Sequence, residues 1–253
     1  MSIPTLLSIP YFAACVFVFY WSNTLGCLCY KIKFMNLIGP RKDMHDWSEF
    51  MNWFFGVQYR QVGEQSLHKG ERCLYLSNHR SWADFFVDIY LTEGMAAPMS
   101  RNLVFYVFPF FMTSVSILKG IILFKRGVIE DKQKFNAWLD SKLDSSIRPS
   151  LLVYPEGHRS TRASSLPLKR GMLHYAHSRK LPIQIIMTKG KEGVLSEKHM
   201  RASYGVTLAT GFSEVIKSSN FPEFEAFALK VQQVWDAKWQ EVYTADISRR
   251  PDC

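Results

Sequence analysis

From Arg72 onward, short apolar runs with strand character alternate with stretches of helical periodicity, and no other feature of the sequence constrains the fold as strongly. The apolar runs cover 72–77, 116–124, 151–154, 182–188 and 205–210. Between them the pattern predicts a helix behind Ser81, helices over 131–143 and 171–179, and a final helix from Phe221 to about Val242. Alternation of this kind buries strands in a sheet and lays helices on its faces, so one α/β domain with a central mixed β-sheet is expected. With 47% hydrophobic and 21% charged residues, the chain has the means to bury a core, which excludes wholesale disorder. A mean hydropathy of -0.07 excludes a many-span transporter and leaves room for one or two membrane-seeking segments.

The N-terminus is the place for such a segment. No Asp, Glu, Lys or Arg precedes Lys31, and residues 6–21 are almost wholly apolar. A membrane-anchoring helix from about Thr5 to Asn23 is expected, with residues 1–35 as anchor and 36–253 as the catalytic body. Pro4 and Pro10 leave a re-entrant hairpin in one leaflet as the alternative to a full span. Lys31, Lys33, Arg41 and Lys42 follow the apolar run, which places the body on the cytoplasmic side. A second uncharged stretch, 103–118, is dense in Phe but interrupted by Pro109, and reads as a buried or interfacial helix. Facing outward, Phe105, Tyr106, Phe108, Phe110 and Phe111 make an apolar patch; facing inward, they are core. The five cysteines are odd in number and lack zinc spacing, so neither a disulfide framework nor a structural metal site is indicated.

Positive charge is concentrated in the middle of the chain, where residues 119–201 hold 17 Lys and Arg against 7 Asp and Glu. A field of that sign attracts phosphate, whether on lipid headgroups, nucleic acid or a small substrate. No recognition helix or base-stacking motif accompanies it, which argues against nucleic acid.

Two segments carry candidate chemistry. In Asn78-His79-Arg80-Ser81-Trp82-Ala83-Asp84, a histidine at a strand end is followed five positions later by a carboxylate. A carboxylate that accepts from one imidazole nitrogen fixes the tautomer and leaves the other nitrogen free to take a proton from a hydroxyl. The competing interpretation is a helix cap built from Ser81 and Asp84, with His79 a turn residue. In Tyr154-Pro155-Glu156-Gly157-His158-Arg159-Ser160, a strand runs into a loop rich in hydroxyls and cations. Arg159 there, and Arg126 after the earlier apolar run, offer planar forks that match phosphate oxygens in pairs.

Taken in order, these segments resemble the 1-acylglycerol-3-phosphate acyltransferases of the glycerolipid acyltransferase superfamily. Asn78 to Asp84 is similar to the family's Asn-His-x4-Asp block, Gly120 to Arg126 to Gly-x-x-Phe-Ile-x-Arg, Tyr154 to Ser160 to Phe-Pro-Glu-Gly-Thr-Arg-Ser, and Leu181-Pro182-Ile183 to a Pro within an apolar strand. The departures are Leu123, Phe124, Tyr154 and His158; the first three keep apolar bulk, and His158 in place of Thr changes the hydrogen bonding beside Glu156. The resemblance implies the superfamily's glycerol-3-phosphate acyltransferase-like fold. It implies His79 as general base oriented by Asp84, Arg126 and Arg159 on the acceptor phosphate, and Glu156 with Gly157 shaping the acceptor site. It also implies a fatty acyl-CoA donor, or acyl carrier protein in some bacteria, a lysophospholipid acceptor, a membrane setting at the endoplasmic reticulum in a eukaryote, and no metal or other cofactor. A remodelling acyltransferase, a CoA-independent transacylase and a non-catalytic binder of anionic membranes are the alternatives.

Overall fold

The computed structural model describes residues 3–31, 43–125 and 131–246. In chain order its elements are α1 (Ile3–Lys31), α2 (Asp43–Phe54), β1 (Gln58–Gln61), β2 (Leu74–Ser77), α3 (Asp84–Leu91), β3 (Ala96–Arg101), α4 (Leu103–Val107), α5 (Pro109–Ile117), β4 (Ile122–Phe124) and α6 (Lys132–Asp144). They continue through β5 (Ser150–Val153), α7 (Gly171–Ser178), β6 (Pro182–Lys189), α8 (Lys191–Val194), β7 (Leu195–Ser196), β8 (Arg201–Ala202), β9 (Thr207–Phe212), β10 (Ile216–Lys217) and α9 (Phe224–Thr244).

The main sheet runs β1-β9-β6-β2-β5-β3-β4, with β10 added against β6. Strand β2 is parallel to β5 and β6, and β3 is parallel to β5 and β4. Strand β9 is antiparallel to β6, so the sheet is mixed as expected. Every residue of β2 is buried, because a central parallel strand is covered on both faces. Its side chains alternate: Leu74 and Leu76 join a core with Leu173, Phe227 and Trp235 from α7 and α9. Tyr75 points the other way, to Leu152 and Ile186.

A second core holds α1, α2, α3 and α5 together through Phe19, Trp47, Met51, Phe86 and Phe111. In α1 the buried positions Phe12, Cys15, Phe19, Asn23 and Cys27 recur at helical spacing, which lays one stripe of the helix on the domain. The Trp47 indole donates to Ser22 at 2.9 Å and Phe19 stacks on Phe111 at 5.0 Å. Among the described residues, no helix is long and apolar enough to cross a membrane. The expected N-terminal helix is therefore present, but its polar Ser22 and Asn23 and its packed stripe make it an integral part of the fold.

The stretch 116–124 departs from the single strand expected of it. Ser116 and Ile117 complete α5, a turn follows with Lys119 at φ 53°, and only Ile122–Phe124 enter the sheet. Gly120 follows that turn, where a Cβ would lie 2.7 Å from the Met44 sulfur, so a larger residue makes that buried side chain shift. Residues 103–117 form two short helices broken before Pro109. Phe111, Met112 and Val115 are core, whereas Leu103, Tyr106, Val107 and Phe110 face solvent, so both interpretations of this stretch hold for different residues.

Candidate active site

Strands β2, β3, β4, β5 and β6 all run the same way, so their C-terminal ends open on one edge of the sheet. Open α/β sheets bind ligands at that edge. His79 follows β2, Arg101 ends β3, Lys125 follows β4, Glu156 and Gly157 follow β5, and Lys191 follows β6. Asn78 fixes the end of β2 to β6: its amide donates to the Thr188 carbonyl at 2.8 Å and its oxygen accepts from the Thr188 N–H at 3.0 Å.

His79 Nδ1 lies 2.6 Å from Asp84 Oδ2. The same oxygen accepts from the N–H of Arg80 at 2.6 Å and of Ser81 at 3.1 Å. One carboxylate oxygen thus orients the histidine and holds the turn ahead of α3; the helix cap that competed with it in sequence is not formed, since Ala83 stands at the N-cap with no side-chain cap hydrogen bond. Asp84 is buried, and burial alone would raise its carboxyl; the Lys191 ammonium, the His79 hydrogen bond and the Arg80 N–H outweigh this and hold it below the ordinary range. An ionised Asp84 accepts from Nδ1–H, which leaves Nε2 of His79 with its lone pair free. The ring is 26% exposed and is reached from the surface. The Tyr154 ring stacks on it at 4.2 Å and 16°.

The loop after β5 docks on this pair, with the Ser160 N–H donating to the His79 carbonyl at 3.0 Å. Gly157 adopts φ 75°, a left-handed conformation that favours glycine, and its carbonyl accepts from Arg101 at 3.1 Å. Glu156 is 1% exposed, and neither carboxylate oxygen has a hydrogen-bond partner among the described residues. Burial pushes its carboxyl up to about 7, against the opposing pull of Lys191 and Arg80. A buried carboxyl with empty valences reduces stability, and such groups persist where function needs them. His158, beside it, is exposed.

Arg159 stands at the mouth of the site, 40% exposed and ion-paired with Glu197, whose other oxygen accepts from the Trp82 N–H at 3.1 Å. Arg170, one of the cations near the motif in sequence, turns away to pair with Glu225 and lie over Phe224. Arg126 lies outside the described residues. The structure therefore gathers His79, Asp84, Glu156, Gly157 and Arg159 at one edge and adds Asp88, Arg101, Lys191 and Glu197, which sequence reasoning missed. Asp88 had a legible signal, being one helical turn beyond Asp84.

Two cavities, of about 470 and 610 Å³, lie around Tyr90 at the other end of α3, and His79 lines neither. His45, Asp46 and Glu49 bring ligand atoms within 4.8 Å of one another in that same region, where His45 stacks on Tyr90.

The family model described as Acyltransferase matches residues 58–188. Relatives include 1-acyl-sn-glycerol-3-phosphate acyltransferases from Limnanthes douglasii, 25% identical over 63% of this chain, and from Cocos nucifera, 25% identical over 74%. The alignments span 53% and 61% of those proteins' own lengths, so the chain covers little more than half of the curated relatives it matches. The crystal structure of the 1-acyl-sn-glycerophosphate (LPA) acyltransferase PlsC from Thermotoga maritima superimposes with a TM-score of 0.71. It covers 96% of this chain and 98% of its own at 16% identity, a likeness of fold.

Proposed function

Since this chain belongs to the Acyltransferase family, we propose that it moves a fatty acyl group from acyl-CoA to the sn-2 hydroxyl of 1-acyl-sn-glycerol 3-phosphate, giving phosphatidic acid. The observation that carries this reading is the 2.6 Å contact between His79 Nδ1 and an ionised Asp84, at the edge where five strand ends converge. Nε2 takes the hydroxyl proton as the oxygen attacks the thioester carbonyl. A tetrahedral intermediate forms, the C–S bond breaks, and the imidazolium returns the proton to the departing thiolate. Atoms and charge balance without a covalent acyl-enzyme or a cofactor.

Arg159, with Arg126, meets the acceptor phosphate; because Arg159 is already paired with Glu197, phosphate binding exchanges one anion for another. Glu156 and Gly157 shape the acceptor site, and the empty valences of the Glu156 carboxyl await the acceptor's remaining polar groups. Residues 1–35 join α4 and α5 in holding the enzyme to the cytoplasmic face of a bilayer, the endoplasmic reticulum in a eukaryote. Supporting this, Phe17, Leu103, Tyr106, Val107 and Phe110 are each at least 60% exposed, and Trp21 stacks on Phe110 across the two elements.

The test is thiol release from acyl-CoA against a panel of lysophospholipids. Fastest turnover with the phosphate monoester supports this acceptor. Preference for a choline or ethanolamine headgroup makes the protein a remodelling enzyme, and vesicle binding without thiol release makes it a membrane binder.

A further inference from the structure

Behind the His79–Asp84 pair lies a charged cluster that the proposed reaction does not touch. Lys191 is fully buried and donates to the Asn78 carbonyl at 2.6 Å. Its ammonium lies 3.1 and 3.2 Å from the two Asp88 oxygens and 3.3 Å from Asp84 Oδ1. Asp84 divides its oxygens. Oδ2 serves His79 and two backbone N–H groups, while Oδ1 accepts no hydrogen bond among the described residues and faces the ammonium. Asp88 accepts from the Tyr154 hydroxyl at 2.9 Å, and the ring of that tyrosine is the one stacked on His79.

We propose that Lys191 is a positioning residue for the His79–Asp84 pair: its ammonium holds the Asp84 carboxylate through Oδ1, while Asp88 and Tyr154 close a circuit back onto the face of the imidazole. The inference rests on the reading of His79 as the base. Stability alone is weak ground for the cluster, because well-packed apolar side chains often replace buried ion pairs without loss. Two carboxylates sharing one ammonium leave a net negative charge when all are ionised, and that charge faces the ring that becomes positive when it takes the proton. The lysine keeps Asp84 ionised despite full burial, with burial opposed by both aspartates in holding the ammonium charged.

Asp88 complicates a direct deletion of Lys191, since removing the cation leaves two buried carboxylates in contact. The informative comparison is therefore Asp88→Asn against Asp88→Asn with Lys191→Met, both assayed for thiol release across pH. Without the ammonium, Arg80 still faces Glu156, Arg159 lies near Tyr154 and Arg101 is bound to the Gly157 carbonyl. Tyr59 and Tyr154 face Asp88, and Tyr243 and Glu192 face Arg80; all four are neutral or negative. Losing a positive charge makes Asp84 hold its proton to higher pH, so the acid limb of kcat/KM moves up by about one pH unit or more. At its plateau kcat falls about tenfold or more, with acceptor KM nearly unchanged.

A lysine that only packs the core predicts otherwise. A folded double variant with the pH limb and kcat of Asp88→Asn overturns the proposal. Should methionine at 191 fail to fold, Lys191→Gln in the same background makes the comparison, since its amide retains a donor for the Asn78 carbonyl and lacks the charge. His79→Ala in the same assay separates two failures. Thiol release that survives there overturns the base itself. An inactive His79→Ala beside a double variant equal to Asp88→Asn overturns the role of Lys191 alone.

Discussion

Asp84→Asn removes a charge while barely changing shape, and the surrounding donors set its cost. The acidic oxygen Oδ2 receives three donors, from His79, Arg80 and Ser81, and Oδ1 faces the Lys191 ammonium at 3.3 Å. An asparagine has no comfortable orientation there. With its NH2 on the Oδ2 side, donor meets donor three times, and His79 is driven to carry its proton on Nε2, the nitrogen that must be bare. With its NH2 on the Oδ1 side, donor meets ammonium, and three charge-assisted hydrogen bonds become neutral ones. Each such bond loses about 1 kcal/mol. Three together amount to about 3 kcal/mol, an upper bound of roughly 10² in rate if all of it is felt in the transition state. The oriented imidazole matters most in the transition state, so kcat and kcat/KM fall together and acceptor KM changes little. The assay is initial-rate thiol release by purified protein, with circular dichroism to establish that the variant is folded. A folded Asp84→Asn protein within about threefold of wild type refutes the reasoning.

Other contacts carry their own expected outcomes. Arg159→Ala is expected to raise acceptor KM more than it lowers kcat, because the side chain stands at the mouth of the site and the phosphate contact proposed for it forms in the ground state; an effect on kcat alone contradicts that proposal. Glu156→Gln is expected to stabilise the protein at pH 8. The carboxyl titrates near 7 when folded against 4.5 ordinarily, so the folded state binds the extra proton between those values and wild-type stability falls as pH rises through them. The gain approaches roughly 3 kcal/mol and vanishes toward pH 4.5, and thermal melts at both ends of the range test it. Arg148→Met strands Asp43, which is buried and ion-paired to it, and removes donors from the carbonyls of Leu118 and Lys119. A loss of about 3–5 kcal/mol in urea unfolding is expected, and a loss under 1 kcal/mol contradicts the packing described. Replacing both Tyr106 and Phe110 with Ser is expected to weaken binding to anionic vesicles at least about tenfold, as read by sedimentation.

Those features of the site that depend on local spacing are legible in the sequence. The five-residue interval from His79 to Asp84 needs only one turn and the first residue of a helix, and Gly157 needs only a loop at a strand end. Helix α2 also carries a signal, since its Met44, Trp47 and Met51, with Phe55 just beyond its end, recur at helical spacing and are all buried. Strand β3, Ala-Ala-Pro-Met-Ser-Arg, carries none: it lacks β-branched residues and is a strand because β5 and β4 pair with it. The run 116–124 is apolar except for Ser116, Lys119 and Gly120, and so short a run does not reveal that a helix ends and a strand begins within it. Pairings across the chain leave no local trace. Lys191 meets Asp84 and Asp88, and Arg159 meets Glu197, only because the sheet brings the ends of β2, β5 and β6 together. Tyr154 is the clearest case: in sequence it replaces one aromatic with another, and in the structure its hydroxyl binds Asp88 while its ring covers His79.

The proposed reaction turns on Nε2 of His79 removing the proton of the acceptor hydroxyl. Its most direct measurement is thiol release from acyl-CoA by purified His79→Ala, in the presence of 1-acyl-sn-glycerol 3-phosphate and beside wild type. The variant is expected to fold and to turn over at least about 10²-fold more slowly. Turnover near that of wild type in the folded variant contradicts the proposed reaction.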